Sequence, residues 1–147
     1  MGKLYDSDFY GWTIEQADAL KRKSLNEIDW HNLVEEIETL GRSELSQLES
    51  RFEVLLIHLL KWQFQPEQRT RSWRNTIAEQ RRKIRKLLKQ NPSMAPKVGA
   101  TLSDAYEDAR QGAADETELE LAVLPSACPY RLEETIDDTF WPGPSTD

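Results

Sequence analysis

Apolar positions along this chain recur every three or four residues, the period of an α-helix, and polar turn signals cut the pattern into segments. Thr13 followed by Gln16 forms a capping-box pattern and predicts a helix over about 14–23. Asp29 then precedes Trp30, Leu33, Val34, Ile37 and Leu40, whose spacing draws one stripe along a second helix. Gly41 ends that helix in a left-handed cap or only kinks it, because 43–61 continues the period without a proline.

In 43–61, Leu45, Leu48, Phe52, Leu55, Leu56 and Leu59 make a broad face, while Val54 and Ile57 add apolar surface opposite. A segment apolar nearly all round belongs at the centre of a domain. Pro66 stops it, 64–71 turns, and Ser72 is the predicted N-cap of a fourth helix. There Trp73, Ile77, Ile84, Leu87 and Leu88 share a face beside a stripe of Arg74, Arg81, Arg85 and Lys89. Asn91 and Pro92 end it and open a fifth helix carrying Met94, Val98, Leu102, Tyr106 and Ala109 to beyond Ala113. Cys128 and Pro129 repeat that start for a short helix near 130–137, before a proline-rich tail from Trp141. Sustained β alternation, long repeats and glycine-rich phosphate loops are absent from the sequence. The expected fold is all-α: a compact single-domain bundle over 1–147, with about five main helices and a short C-terminal one.

Composition agrees. The chain has 147 residues, 38% apolar and 31% charged, which suits one soluble helical domain. Its longest apolar run, 54–60, is interrupted by His58, and the opening MGKLYDSDFY lacks the apolar core of a secretion signal. A cytoplasmic protein is expected, without membrane association. The single Cys128 has no intramolecular partner, which fits a reducing compartment. The net charge of −7 is unevenly spread: residues 61–90 carry ten basic and two acidic side chains, between flanks with twelve acids each.

Several groups are candidates for chemistry. His31, Glu35 and Glu38 share one flank of the second helix and resemble half of a bundle metal site. An exposed His–Glu pair at i,i+4 is the favoured reading, and neither metal nor cofactor is expected. His58 can serve as a general base, with Lys61 and Glu35 or Glu36 around one pocket, although a satisfied histidine at the core edge is more common. Gln65, Arg69, Arg71, Ser72 and Arg74 gather where the fourth helix begins and suit a phosphate, a carboxylate or a partner's acids. Pairing with a partner's acids or the chain's own, for instance Glu35, Glu36 and Glu38, is the favoured reading. The stripe through Arg81 and Arg85, with Arg82 and Lys86 beside it, can track a nucleic-acid backbone, but a pI near 5.0 opposes this. Trp12, Trp62, Trp73 and Trp141 stand near helix ends, where core packing is their default role and partner anchoring their second.

A series of short motifs in fixed order carries a resemblance. These are YDSDFYGW from Tyr5 to Trp12, NLVEEIETLG from Asn32 to Gly41, HLLKW from His58 to Trp62 with Gln65 and Pro66, and SWR from Ser72 to Arg74. Gln80 with Arg81, Pro92 with Ser93, CPY from Cys128 and FWP from Phe140 complete it. Over about 4–142 the chain resembles domain-of-unknown-function family twenty-nine, small bacterial proteins found often in cyanobacteria and proteobacteria. The resemblance implies a compact α-helical domain, and no activity, cofactor or substrate comes with it. His31 departs from the usual family pattern, which weakens the metal flank, and Asn91 replaces a common serine with another capping residue. The expectation is therefore a non-catalytic helical interaction or scaffold protein. Its expected partner is a second copy, or an acidic protein meeting the basic helix 73–90; nucleic-acid binding and an enzyme centred on His58 are the alternatives.

Overall fold

The computed structural model describes residues 2–144. The described residues form six α-helices: α1 (Gly2–Ser7), α2 (Phe9–Lys21), α3 (Trp30–Phe64), α4 (Arg71–Gln90), α5 (Val98–Glu116) and α6 (Leu132–Thr135). Short 3-10 turns separate several of them, and the described residues contain no strand. The all-α expectation holds. The chain divides into two compact units, Met1–Glu44 and Leu45–Asp147, and α3 contributes residues to both.

Several boundaries differ from expectation, each for a local reason. Helix α2 starts at Phe9, because the Asp8 carboxylate accepts from the Gly11 N–H at 3.0 Å. Thr13 therefore lies inside the helix, where its hydroxyl donates back to the Tyr10 carbonyl at 2.7 Å. Of the two outcomes open at Gly41, the helix does not end there: α3 runs through it, since the apolar period on both sides is helical and one glycine costs only about 1 kcal/mol. Helix α4 is capped by Thr70 rather than Ser72. The turn Pro66–Gln68 delivers the chain to Thr70 in an extended conformation, and its Oγ1 accepts from the Trp73 N–H at 3.1 Å. Asn91 turns its side-chain amide back onto the Leu87 carbonyl, and Pro92–Lys97 forms a 3-10 turn before α5 begins at Val98. A second proline, Pro96, disfavours α geometry in the residue before it. The last helix shrinks to Leu132–Thr135, fixed by the Glu134 side chain accepting from the Arg131 N–H at 2.9 Å.

The C-terminal unit has the larger core. Leu48, Phe52, Leu55, Leu56, Leu59 and Leu60 of α3 are fully enclosed with Ile77 and Ile84 of α4 and Ala105 and Ala109 of α5. Each buried leucine or isoleucine stabilises by about 1.5–3 kcal/mol. Gly112 marks a close approach of α5, because a Cβ there would lie 2.7 Å from Ile57 Cδ1.

The N-terminal unit is built differently. Trp12, Ala19 and Ile28 are buried, and a polar network joins them to the start of α3. The Trp12 indole donates to Asp29 at 3.0 Å, the Asn32 amide donates to the same carboxylate at 2.8 Å, and Gln16 accepts the Asp29 N–H at 2.7 Å. Tyr5 packs edge-on against Phe9 and Trp12 and donates its hydroxyl to Glu36. That bond raises the phenol to about 12, because ionisation would place two negative charges together. The apolar stripe drawn by the spacing in 30–40 is largely exposed: Trp30, Val34, Ile37 and Leu40 are 54%, 53%, 61% and 66% exposed.

Candidate functional site

The corner between α3 and α4 is where most of the expected binding residues lie, and it is formed within the C-terminal unit. Trp62 ends the buried face of α3 and rests against Trp141 of the tail, with ring centroids 4.8 Å apart. Arg69 lies over the Trp62 ring at 4.7 Å and donates to three carbonyls: Trp62 at 2.9 Å, Pro144 at 2.9 Å and Pro142 at 3.3 Å. It thus fastens the tail to the corner, and its partial burial lowers its pKa. Arg74 lies 5.6 Å from both the Trp62 and Trp141 rings. Beside them opens a cleft of about 580 Å³, lined by Trp62, Arg69, Thr70, Arg71, Arg74 and Asn75.

The other expected cations have mixed roles. Arg81 is completely buried and donates through Nε to the Thr135 carbonyl at 2.9 Å, and through Nη2 to Phe140 at 2.8 Å and Glu134 at 3.4 Å. Its remaining Nη1 has no hydrogen-bond partner among the described residues, and its guanidinium faces the Trp141 ring at 5.4 Å. Desolvation lowers its pKa. Arg85 forms a fork with Asp138, both bonds at 3.0 Å, and donates to the Ile136 carbonyl. The arginines at 69, 81 and 85 therefore hold the chain's own C-terminal segment. Arg71 and Ser72 are exposed, and Gln65 is half-buried before the turn.

Lys61 is buried along its stem, with its ammonium 3.3 Å from Glu116 and 4.7 Å from the centre of the Trp73 ring. His58 is half-buried, and its Nδ1 meets the Val54 carbonyl at 2.8 Å, which makes that nitrogen the donor in the neutral ring. Burial holds His58 below its ordinary pKa; Lys61 lowers it further, while the Val54 carbonyl and Glu116 oppose the shift. Glu35 and Glu36 belong to the N-terminal unit, so the four residues of the enzyme alternative do not gather within either unit. His31, Glu35 and Glu38 form no ligand cage: among the described residues no three His, Cys, Asp or Glu side chains come within metal-binding reach of one another. No helix among those residues is long and apolar enough to cross a membrane.

Sequence reasoning missed Thr70, Asn75 and Trp141 at the corner. The hydroxyl of Thr70, three residues before Trp73, was a cap signal as good as Ser72. The tail carbonyls that receive Arg69 and Arg81 leave no mark in the sequence.

A family model described as a domain of unknown function, DUF29, matches residues 4–141. The chain belongs to DUF29. No curated protein and no solved structure matches it. The DUF29 match includes Arg69, Arg74 and Arg81 together with Trp62 and Trp141, so the whole arginine–tryptophan stack lies inside it.

Proposed function

We propose that this DUF29 protein is a helical interaction protein whose N-terminal unit receives a cationic amphipathic helix from a partner protein. One observation supports this above others. Of the eleven large hydrophobic side chains exposed among the described residues, nine lie in the first 44 positions, and four of them form the α3 stripe Trp30, Val34, Ile37 and Leu40. Such a stripe, spaced at i, i+4, i+7 and i+10, is the shape that a second amphipathic helix packs against.

Charge selects the partner. Residues 1–44 hold ten acidic and five basic side chains, and Glu38 and Glu44 stand one turn beyond Val34 and Leu40. A second copy presenting the same stripe would bring like charges together, whereas lysines and arginines beside the partner's apolar face complement them. The basic helix α4 is less suited to an acidic partner, since Arg81 and Arg85 already serve the C-terminal segment. A bacterial, cytoplasmic setting is part of the proposal; the lone free Cys128 supports its reducing compartment.

The test uses two designed peptides with identical leucine spacing, one carrying lysines and the other glutamates on its polar face. Fluorescence anisotropy should show saturable binding of the lysine peptide only, lost in a Val34→Glu, Ile37→Glu variant. Equal binding of both peptides, binding of neither, or a dimer by light scattering that the same variant dissociates, would overturn the reading.

A further inference from the structure

The corner cleft has a chemistry independent of the docking face. Four of its six lining residues carry side-chain donors that the fold does not fully use. Arg71 and Arg74 have no acidic partner among the described residues, although five of the chain's other basic residues in 61–90 do have one or are bound to carbonyls: Lys61, Arg69, Arg81, Lys83 and Arg85. Arg74 is held only through its face, over Trp62 and Trp141, which leaves its N–H edge available. Asn75 is exposed beside it. Thr70 accepts from Trp73 through its hydroxyl oxygen, so its proton remains free to donate. The lining includes no carboxylate, in a chain with seven more acidic than basic side chains.

Arg69 explains why the cleft persists. Its guanidinium is held at all three nitrogens by the carbonyls of Trp62, Pro142 and Pro144, which keeps it from swinging across the space, and it contributes a fixed positive charge at the wall. Two guanidinium forks without acidic partners and one carbonyl-bound guanidinium around neutral donors match a doubly charged tetrahedral oxyanion better than a planar carboxylate. The volume of about 580 Å³ is in the range of small-molecule sites. Trp62 is already covered by arginine, so the site offers no open aromatic face for stacking a base.

From this arrangement we infer that the cleft at Arg71, Arg74, Thr70 and Asn75 binds the phosphate group of a small phosphorylated molecule. Arg71 and Arg74 grip the phosphate oxygens, Thr70 and Asn75 donate from the floor, and Arg69 supplies field without direct contact.

The inference is tested on the full chain by following backbone amide and indole resonances during titration with inorganic phosphate and with glycerol 3-phosphate, using chloride and glycerol as controls. Saturable shifts confined to residues 62–75 and Trp141 are expected for both phosphate probes and for neither control. Arg71→Gln should weaken binding about tenfold, the loss of one charge-assisted contact, and adding Arg74→Gln should remove it. Arg82→Gln, an exposed cation on α4 outside the cleft, should leave it unchanged. Because Arg74 also stacks on two tryptophans, the exposed Arg71 carries the decision if the double variant unfolds. Absence of saturation by about 20 mM phosphate, equal shifts with chloride, or an Arg71→Gln protein that binds like the parent would overturn it.

Discussion

The guanidinium of Arg81 donates to the backbone carbonyl of Thr135 at 2.9 Å, with the arginine side chain and Thr135 both fully buried. A charge in the core is thereby matched to carbonyls rather than to a carboxylate, and it closes the C-terminal segment over α4. Arg81→Met keeps much of the volume but leaves the carbonyls of Thr135 and Phe140 without donors. About 3 kcal/mol of stability should be lost, read from urea unfolding. A loss below about 1 kcal/mol would mean that the segment is held by its apolar contacts instead.

Asp29 has the equivalent place in the N-terminal unit, taking bonds from Trp12 and Asn32. Asp29→Ala removes an N-terminal cap of α3 and strands the indole N–H, so about 2 kcal/mol should be lost from that unit. Bonds from Asn32 and Trp12 depress the carboxyl pKa below its ordinary value. The unfolded chain therefore takes up the proton first as pH falls. The stabilisation is present above the unfolded value of about 3.8 and disappears as pH drops through the folded one, which acid unfolding of the parent and the variant should reveal as a difference.

His58 gives a second pH dependence in a milder range. Its folded pKa lies below 6.5, mainly through burial, so protonation favours the unfolded chain. Stability should be constant above about pH 7, fall as pH drops below 6.5, and level off beneath the folded pKa. His58→Gln should flatten that limb in denaturant titrations at successive pH values. An unchanged limb would assign it to another group.

Nucleic acid should bind poorly. Arg81 is inaccessible, Arg85 is neutralised by Asp138, and the net charge is −7. No retardation of duplex or single-stranded oligonucleotides is expected at about 50 mM salt. A complex that forms there and dissociates steeply with salt would show that Arg82, Lys86 and Lys89 suffice.

Much of this fold is legible in the residues, because helical period is a local property. The buried faces through Leu48, Phe52 and Leu55 and through Ile77 and Ile84 follow directly from spacing. Caps were less legible where two candidates lay close together: Asp8 against Thr13, and Thr70 against Ser72. Which side of an apolar stripe finds a partner is not local at all. The Trp30–Leu40 stripe has the same pattern as a core face, yet it is exposed. The corner was legible as a cluster of cations, but the C-terminal carbonyls that receive Arg69 and Arg81 come from residues 53 to 75 positions away.

The docking face is tested most directly by mapping the lysine-bearing amphipathic peptide onto the protein through amide chemical shifts. The account predicts perturbations centred on residues 30–40 of α3, strongest near Val34 and Ile37. Perturbations centred on α4 or α5, or none at a peptide concentration that saturates anisotropy, would contradict it.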